Sequence, residues 1–279
     1  MNYIKICFIY DSWDNEYTLN VYKKMTPERK GIWKDIIGVT DIKEADYCVI
    51  IDDTKQDVPW QKAIYINAHP FFENYSGYVD MSNKKCFAKL DAKYDFGFGE
   101  WWLEYDYDYL SKLEKPEKIK DICCIMSNTS GGFGKEMRKK FVLDFKNKYG
   151  LNLYGRLEGF QELGEGLNGD YWYGKEPVLE IHKHSIEFDM GITSNYFSER
   201  VFDSLLMWCK PFYWGSNNLE RYLPKESFSY IDISKNGEDI IENIGKIDYN
   251  AIATARDLLL NKYQLWARIY DIIHNNPLH

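Results

Sequence analysis

Residues 122–156, ICCIMSNTSGGFGKEMRKKFVLDFKNKYGLNLYGR, contain a complete strand–helix–strand pattern. The first run, ICCIMSN, is typical of a buried strand, and TSGGFG is a glycine-rich loop. KEMRKKFVLDFKNKYG has the apolar spacing of an amphipathic helix that ends at Gly150, and LNLYGR predicts the next strand. Strand, loop, helix and strand in this order predict the right-handed unit of a doubly wound parallel sheet.

Similar apolar runs on both sides of this unit predict more strands. They are IKICFIY (4–10), ADYCVIID (45–52) and KAIYINAHP (62–70) before it, and HSIEFDMG (184–191), KPFYWGS (210–216) and FSYIDIS (228–234) after it. Helical spacing marks residues 18–37, around a proline-containing break, residues 198–209, and a tail from Asn250 to Ile273. The pattern predicts an α/β protein of two halves with a cleft between them and a closing helix.

The best domain boundary is the stretch LSKLEKPEKIKD (110–121), which is rich in Lys and Glu and contains Pro116. It separates two strand-like runs. The predicted domains are residues 1–115, residues 116–249, and a C-terminal helix within residues 250–279 that packs back on both.

The 279-residue chain has 35 basic and 43 acidic residues, a net charge of -8. This balance argues against nucleic acid or an anionic membrane surface as the main partner. The six cysteines show no CxxC spacing and several lie within apolar runs, so we expect reduced, mostly buried thiols. Neither a signal-peptide pattern nor a run of about 18 apolar residues is present, which predicts a cytoplasmic protein without a transmembrane segment.

The glycine-rich loop resembles a phosphate cradle, because glycines let backbone N–H groups approach an anion and a helix N-terminus adds partial positive charge. Its candidate ligand-binding residues are Asn128, Gly131 and Gly132. Residues 135–148 include six basic and two acidic side chains, and Arg138 is placed to reach a phosphate bidentately. The loop matches neither the P-loop nor the dinucleotide-binding pattern. The alternative is a flexible connection beside a solvated helix face.

Two patterns raise the question of a metal. Asp106 and Asp108 flank one residue, as in the Asp-x-Asp metal motif of sugar-nucleotide enzymes, but a solvated acidic loop is the favoured interpretation. His182 and His184 form an H-x-H pair without a nearby Cys or carboxylate that completes a zinc set, so metal binding is the weaker interpretation there too. His69, just beyond a predicted strand end, is a candidate general base.

The most specific segment is SIEFDMGITSNYFSERVFDSLLMWCKPFYWGSNNLERYLPKESFSYID (185–232). It predicts a strand, an acidic turn, a loop carrying Tyr196, and a helix that begins at Ser198 with Glu199 in its first turn. Glu199 suits the positive end of that helix, or it binds ribose hydroxyls as acids do in nucleotide sites. Arg200 is placed to neutralise a diphosphate.

This segment resembles the donor-binding signature of the α-1,3/1,4-fucosyltransferases, glycosyltransferase family ten. EFDM stands where that family has F-E-N, YFSER where it has Y-[VI]-T-E-K, KPFYWGSNN where it has P-[VI]-x-[WL]-G, and LPKESF where it has P-x-S-F. A weaker likeness, in CIMSN and MRKKF, extends the resemblance over most of residues 122–232.

The resemblance implies a GT-B fold, in which two Rossmann-like domains face each other across a cleft and the C-terminal one binds a GDP-sugar. Carried over to this sequence, Arg138 and Arg200 neutralise the pyrophosphate, Glu199 holds the ribose, and Tyr196 lines the nucleotide or sugar site. Arg200 stands in place of the family's Lys, which keeps the charge and changes the geometry.

The sequence departs from the family pattern at two places. Asp189 and Met190 replace the Glu and Asn of F-E-N in the predicted donor pocket. In the first half, Ala68 stands where the family carries a Glu as candidate base. An inverting transfer needs a base for the acceptor hydroxyl, and His69, then Glu73, are the candidates.

We therefore expect an inverting glycosyltransferase, without metal or cofactor, that moves fucose or a related sugar from a GDP-sugar donor to an oligosaccharide or glycan acceptor. The aromatic residues, 17% of the chain, are concentrated in GEWWLEYDYDY (99–109) and GDYWYG (169–174), where we expect them to stack on sugars. The alternatives are a GT-B transferase with another nucleotide-sugar donor, a non-catalytic nucleotide- or carbohydrate-binding module, and a metal-dependent transferase that uses Asp106 and Asp108.

Overall fold

The computed structural model describes residues 2–68, 83–91, 94–96, 98–126, 133–155 and 174–275. The first half forms a sheet of β1 (Ile4–Ile9), β2 (Ile32–Trp33), β3 (Ile36–Val39), β4 (Tyr47–Ile51), β5 (Ala63–Asn67) and β6 (Ala88–Asp91). The second half forms a sheet of β7 (Lys120–Met126), β8 (Asn152–Gly155), β9 (His182–Phe188), β10 (Lys210–Trp214) and β11 (Ser229–Tyr230). The predicted α/β class, with two mainly parallel sheets and a C-terminal helix, is confirmed.

Both sheets have the same strand order. The first is β2-β3-β1-β4-β5-β6, parallel except for the β2–β3 pair, and the second is β11-β10-β9-β7-β8, parallel throughout. Leaving aside the edge strand β2, each sheet places its first strand between its second and its third. The direction of winding therefore reverses between β1 and β4 and between β7 and β9. In open α/β sheets, ligands bind beyond the carboxyl ends of the strands at such a point.

The helices within the described ranges are α1 (Asn15–Lys23), α2 (Tyr107–Lys112), α3 (Phe133–Tyr149), α4 (Glu176–Ile181), α5 (Glu199–Leu206), α6 (Glu238–Asn243), α7 (Tyr249–Leu258) and α8 (Leu265–Asn275). The Asp14 side chain caps α1 by accepting from the Tyr17 N–H at 2.7 Å. Gly150, with a φ of 77°, ends α3 as predicted, and its N–H donates to the Lys146 carbonyl.

The strands of the first sheet are buried on both faces, as their apolar runs require. Ile6 and Phe8 of β1 point into a large cluster that includes Trp266 of α8, whereas Cys7 and Ile9 belong to a smaller cluster on the opposite face. The large cluster continues into the second half. The Phe96 ring, for example, lies 5.9 Å from Phe202 of α5. One hydrophobic core therefore joins the two halves.

The tail, which we predicted as one helix, is two helices joined by a π-helical turn at Leu259–Tyr263. Gln264 has extended backbone and interrupts the helical path. The Trp266 indole N–H then donates to the Tyr22 carbonyl at 2.9 Å, and the Gly99 N–H donates to the Tyr263 carbonyl. These contacts hold the C-terminal helices against the first half.

The predicted helix over residues 18–37 is wrong in its second part. Helix α1 ends at Lys23, and residues 32–39 form β2 and β3. A Cβ at Gly38 would lie 2.3 Å from the Leu19 side chain and 3.0 Å from the Trp266 ring, so glycine lets β3 lie beneath both. Periodicity alone does not distinguish so short an apolar strand from a helical turn.

All six cysteines are free thiols, and five of them are buried, as predicted. Within the described ranges, no helix combines the length and the apolar character needed to span a bilayer. In the predicted boundary segment, the Lys118 ammonium donates to the carbonyls of Leu179 and Met207, at 2.7 Å each.

The prediction that residues 99–109 present aromatic rings to sugars is wrong for Trp101. Its side chain is only 2% exposed, and its indole N–H donates to the Tyr105 carbonyl at 3.0 Å. Tyr107 packs edge-on against Trp33 and hydrogen-bonds Asn261. The second predicted stacking segment, GDYWYG, lies outside the described residues apart from its last glycine.

Candidate functional site

The predicted donor-binding residues that the structure describes meet at the carboxyl edge of the second sheet, where its strand order reverses. Strand β9 ends at Phe188, α3 carries Arg138 near its start, and α5 begins at Glu199. We call the group formed by five charged residues at this point the basic edge: Arg138, Lys175, Asp189, Glu199 and Arg200.

The two arginines of the basic edge bind consecutive backbone carbonyls at the end of β9. Arg138 donates from Nη1 to the Asp189 carbonyl at 2.8 Å and from Nε to the Gly134 carbonyl at 2.9 Å. Arg200 donates from Nη1 to the Phe188 carbonyl at 3.2 Å. These bonds orient both guanidinium groups without neutralising them, because a backbone carbonyl carries no net charge.

The electrostatics of the two arginines differ. Burial and the Arg200 charge lower the pKa of Arg138, whose side chain is only 6% exposed. Burial opposes the charge of Arg200 as well, but Glu199, Glu187 and Asp189 together outweigh it and raise the pKa of Arg200. Glu199 Oε1 lies 3.8 Å from Arg200 Nε. Both groups remain cationic, and an oriented guanidinium pairs well with a phosphate or carboxylate.

Asp189 braces the loop between β9 and α5. Its Oδ1 accepts the Ser198 N–H at 3.0 Å, and its Oδ2 accepts the Tyr213 hydroxyl, which in turn accepts the Ser216 N–H. A Cβ at Gly215 would lie 2.2 Å from Asp189 Oδ2, so only glycine fits there. Burial raises the pKa of Asp189 to about 6. Its carboxylate therefore holds the local backbone in place.

Helix α5 begins at the predicted position, but the predicted N-cap hydrogen bond is not formed. Ser198 occupies the N-cap position, yet its side chain makes no capping hydrogen bond. Asp189 caps this end by accepting the Ser198 N–H. Glu199 lies in the first turn, where its charge meets the positive end of the helix.

Lys175 and Asp203 complete the charge network, and neither was predicted as a site residue. Lys175 Nζ lies 2.7 Å from Asp203 Oδ2 and 3.9 Å from Glu199 Oε1. Burial opposes the charge of Lys175, but Asp203 and Glu199 outweigh it and raise its pKa. Asp203 Oδ1 also accepts the Trp102 N–H at 2.9 Å. The spacing of Glu199 and Asp203, one helical turn apart on α5, was the signal available.

Tyr196 lies in the same loop and is 6% exposed. Burial and the charges of Asp189 and Glu199 raise its pKa well above 10, so the phenol stays protonated and keeps a hydrogen-bond donor. The neighbouring Asn195, at a φ of 60°, accepts hydrogen bonds from Asn218 and from the Tyr222 hydroxyl. These bonds fix the conformation of the loop that carries Tyr196.

The remaining predicted site residues lie outside the described ranges: His69, Glu73, Asn128, Gly131 and Gly132. Ala68 is described, and its N–H donates to Asp52 Oδ1 at 2.9 Å. Met190 is 41% exposed beside the basic edge.

The side chains of the Asp106/Asp108 and His182/His184 patterns make hydrogen bonds and ion pairs within the protein. Asp106 caps α2 and pairs with Arg29 at 2.8 Å, and Asp108 accepts the Glu28 N–H. His184 is buried, its Nε2 accepts the Gly245 N–H, and burial lowers its pKa to about 4. Within the part of the chain that the structure describes, no three His, Cys, Asp or Glu side chains are grouped to hold a metal ion.

Comparisons with known proteins find similarity in structure only. No family model matches the sequence, and no curated protein sequence is significantly similar to it. Three solved structures similar to this chain are an α1,3-fucosyltransferase with GDP (14% identity, 94% of this chain and 82% of that chain, TM-score 0.47), one with GDP-fucose (12%, 94% and 82%, 0.47), and one described by the enzyme name alone (15%, 99% and 82%, 0.46).

Proposed function

We propose that the chain is an inverting glycosyltransferase that moves fucose, or a related sugar, from a GDP-sugar to a saccharide hydroxyl. One observation carries the proposal: Arg138 and Arg200 bind consecutive carbonyls at the end of β9, at the point where the second sheet reverses its strand order. That is where an open α/β sheet binds a nucleotide, and two oriented guanidinium groups suit a diphosphate.

In this proposal the basic edge stabilises the leaving group. Negative charge grows on the diphosphate as the sugar departs, and preorganised cations already aimed at it lower the barrier most. Glu199 holds the ribose hydroxyls, and Lys175 keeps Glu199 in place from 3.9 Å. Tyr196 lines the nucleotide or sugar site. His69, then Glu73, remain the candidate bases, and no metal is required.

Two measurements test the proposal. Calorimetric titration with GDP, UDP and CMP should give the tightest binding for GDP. Incubation with GDP-fucose and a panel of Gal- and GlcNAc-containing acceptors should give transfer that persists in EDTA. Failure to bind GDP would overturn the donor assignment, preference for UDP or CMP would identify another donor class, and loss of activity in EDTA would overturn the metal-independent mechanism.

A non-catalytic binding module is the second candidate, and Ala68 favours it. Ala68 stands where the resembled family has its candidate base, and its N–H is engaged with Asp52. A module of this kind would bind GDP and neither hydrolyse nor transfer the donor sugar at any protein concentration. Detection of transfer at a rate proportional to protein concentration would exclude it.

A further inference from the structure

A groove lies between the outer face of α3 and the loop that joins β11 to α6. Its cavity volume is about 520 Å³, within the range of small-molecule sites. Residues 233–236 of the loop form one wall, and α3 forms the other. We call it the α3 groove and define it by six of the residues that line it: Lys140, Phe141, Asp144, Phe145, Lys148 and Lys235.

The groove uses a different face of α3 from the basic edge. At intervals of three or four residues, the helix presents to it the positions 137, 140, 141, 144, 145 and 148. Arg138 is turned about 100° from Met137 around the helix axis, and its guanidinium donates to the Asp189 carbonyl instead. The proposed function therefore uses Arg138 alone among the basic residues of 135–148, and it leaves Lys140 and Lys148 unexplained.

The floor and the wall of the groove are ordered. The Phe141 and Phe145 rings are stacked, with centroids 6.1 Å apart, and they are 5% and 2% exposed. The loop packs directly on them, because a Cβ at Gly237 would lie 2.4 Å from the Phe145 ring. Asp232 accepts both the N–H and the hydroxyl of Ser234, at 3.0 and 2.7 Å. The groove is therefore preformed, which lowers the entropic cost of binding a ligand.

The lining of the groove is cationic in an acidic chain. It holds three lysines and one aspartate, a net charge of +2, whereas the whole chain carries -8. Lys148 lies 3.8 Å from Glu238 and Lys235 lies 3.9 Å from Asp232, both as exposed pairs. Lys140 has no ion pair or hydrogen bond among the residues that the structure describes. Exposed pairs contribute little, so all three ammonium groups can turn toward a ligand.

These features select the chemistry of the ligand. The three ammonium groups favour an anion, and the aromatic floor favours an apolar ring above it. A neutral apolar molecule would desolvate the lysines without pairing them, and an inorganic anion would leave the floor uncovered. Because the floor rings are already almost buried, the charges should supply most of the affinity.

We propose that the α3 groove binds a small organic anion that carries an apolar ring. The ring lies on the floor, and its carboxylate, sulfonate or phosphate group pairs with the lysines of the rim. This site goes beyond the proposed function and does not depend on it, because Arg138 and the end of β9 take no part in it.

The test is a fluorescence titration of the full-length chain with three probes. Anilinonaphthalene sulfonate carries both rings and charge, N-phenyl-1-naphthylamine carries the same rings without the sulfonate, and sodium sulfate carries charge alone. We expect the sulfonate dye to bind at one site per chain, about tenfold more tightly than the neutral dye. Sulfate at equal concentration should not displace it, and added salt should weaken its binding.

Charge reversal locates the site. Lys140→Glu and Lys235→Glu should each weaken binding of the sulfonate dye about tenfold. The matched control is Lys139→Glu, which reverses an exposed charge on the same helix outside the groove lining and should leave the affinity unchanged. Because the Lys235 side chain is 66% exposed in a loop, Lys235→Glu tests the site even if Lys140→Glu fails to fold.

Each outcome decides the proposal. Absence of binding, equal affinity for the two dyes, or equal losses in Lys139→Glu and Lys235→Glu would overturn it. Saturating GDP separates it from the proposed function. Unchanged binding of the sulfonate dye in GDP supports a separate groove, whereas displacement by GDP would assign the dye to the basic edge and overturn the groove. Failure of GDP to bind contradicts the proposed function and leaves the groove standing.

Discussion

The two sheets share one strand order, yet their carboxyl edges differ in chemistry. At the second sheet, Arg138 and Arg200 are oriented by backbone carbonyls and surrounded by buried carboxylates. At the first sheet, the corresponding point carries three neighbouring aromatic rings, Tyr10, Trp13 and Tyr17, and an excess of acidic residues. In open α/β sheets the topology sets where a ligand would bind, and the side chains that follow the strands set which ligand chemistry the edge suits.

The two edges also differ in burial. Each contains a Lys–Asp pair at 2.7 Å, but the side chains of Lys175 and Asp203 are 16% and 1% exposed, whereas those of Lys55 and Asp11 are 69% and 20% exposed. The Lys175–Asp203 pair is therefore buried in the protein interior, whereas the Lys55–Asp11 pair lies at the surface.

The largest expected effect separates these two pairs. Asp203→Ala should lower the free energy of unfolding by about 3–5 kcal/mol, because it removes the hydrogen-bonded partner of the buried Lys175 ammonium and leaves only the Glu199 carboxylate, 3.9 Å away. Asp11→Ala should cost less than about 1 kcal/mol, since water solvates Lys55. Chemical denaturation measures both, and equal losses in the two variants would contradict the difference in burial.

Removal of one guanidinium tests the basic edge as an anion site. Arg138→Ala should weaken GDP binding by about 100-fold, because two charge-assisted hydrogen bonds to phosphate are lost. Lys139→Ala, on the exposed face of the same helix, is the matched control and should leave the affinity unchanged. An Arg138→Ala affinity within twofold of the wild type would refute the role of Arg138.

The pH dependence of stability should have opposite signs at the two edges. Burial raises the pKa of Glu187, beside Arg200, from 4.5 to about 7, so the folded protein binds more protons than the unfolded chain between these values. The free energy of unfolding therefore falls as pH rises through this window, by on the order of 3 kcal/mol for this group. Glu187→Gln should remove that slope, and its amide oxygen still accepts the Ser204 hydroxyl.

Asp11 provides the opposite case. Its hydrogen bond to Lys55 holds its pKa below 3.8, so its contribution is complete at neutral pH and is lost as pH falls through that lowered value. Asp11→Asn should therefore lower the free energy of unfolding slightly at pH 7. It should have no effect at a pH so low that Asp11 is protonated in the folded and the unfolded protein alike. Denaturation curves between pH 3 and pH 8 measure both variants, and slopes of the same sign would contradict the assignment.

The smallest expected effect is that of Tyr17→Ala on stability. Because Tyr17 is 53% exposed, its loss should change the free energy of unfolding by less than about 0.5 kcal/mol. The melting temperature checks this result. A loss above about 1.5 kcal/mol would mean that the ring is part of the core.

Much of the fold follows from local sequence. The apolar runs predicted β1, β4, β5 and all five strands of the second sheet, because parallel strands are buried on both faces. Strand β3 was not predicted, because glycine is unfavourable in a strand. Its role at position 38 depends on the Leu19 and Trp266 side chains that pack over it, and their positions follow only from the tertiary structure. The interruption of the C-terminal helix at Gln264 was not predicted, because the helical spacing of apolar residues continues on both sides of it.

The candidate site was predictable in part. Arg138, Glu199 and Arg200 stand in recognisable positions around predicted strands and helices. The spacing of Glu199 and Asp203 places both on one face of α5, but their contact with Lys175 joins separate elements and no local pattern reveals that partner.

The α3 groove had a signal in one of its walls. The basic excess of residues 135–148 is visible in the sequence, where it was assigned to a phosphate or to a solvated helix face. The second wall, residues 233–236, comes from a loop far along the chain, so no local pattern reveals the groove.

A crossed calorimetric titration distinguishes the ligand preferences of the basic edge and the α3 groove. GDP and anilinonaphthalene sulfonate are each titrated into the wild type, Arg138→Ala and Lys235→Glu. If the two sites bind different ligands, Arg138→Ala loses GDP affinity and keeps sulfonate affinity, and Lys235→Glu loses sulfonate affinity and keeps GDP affinity. Loss of both affinities in the same variant, or no GDP binding to the wild type, would contradict the account.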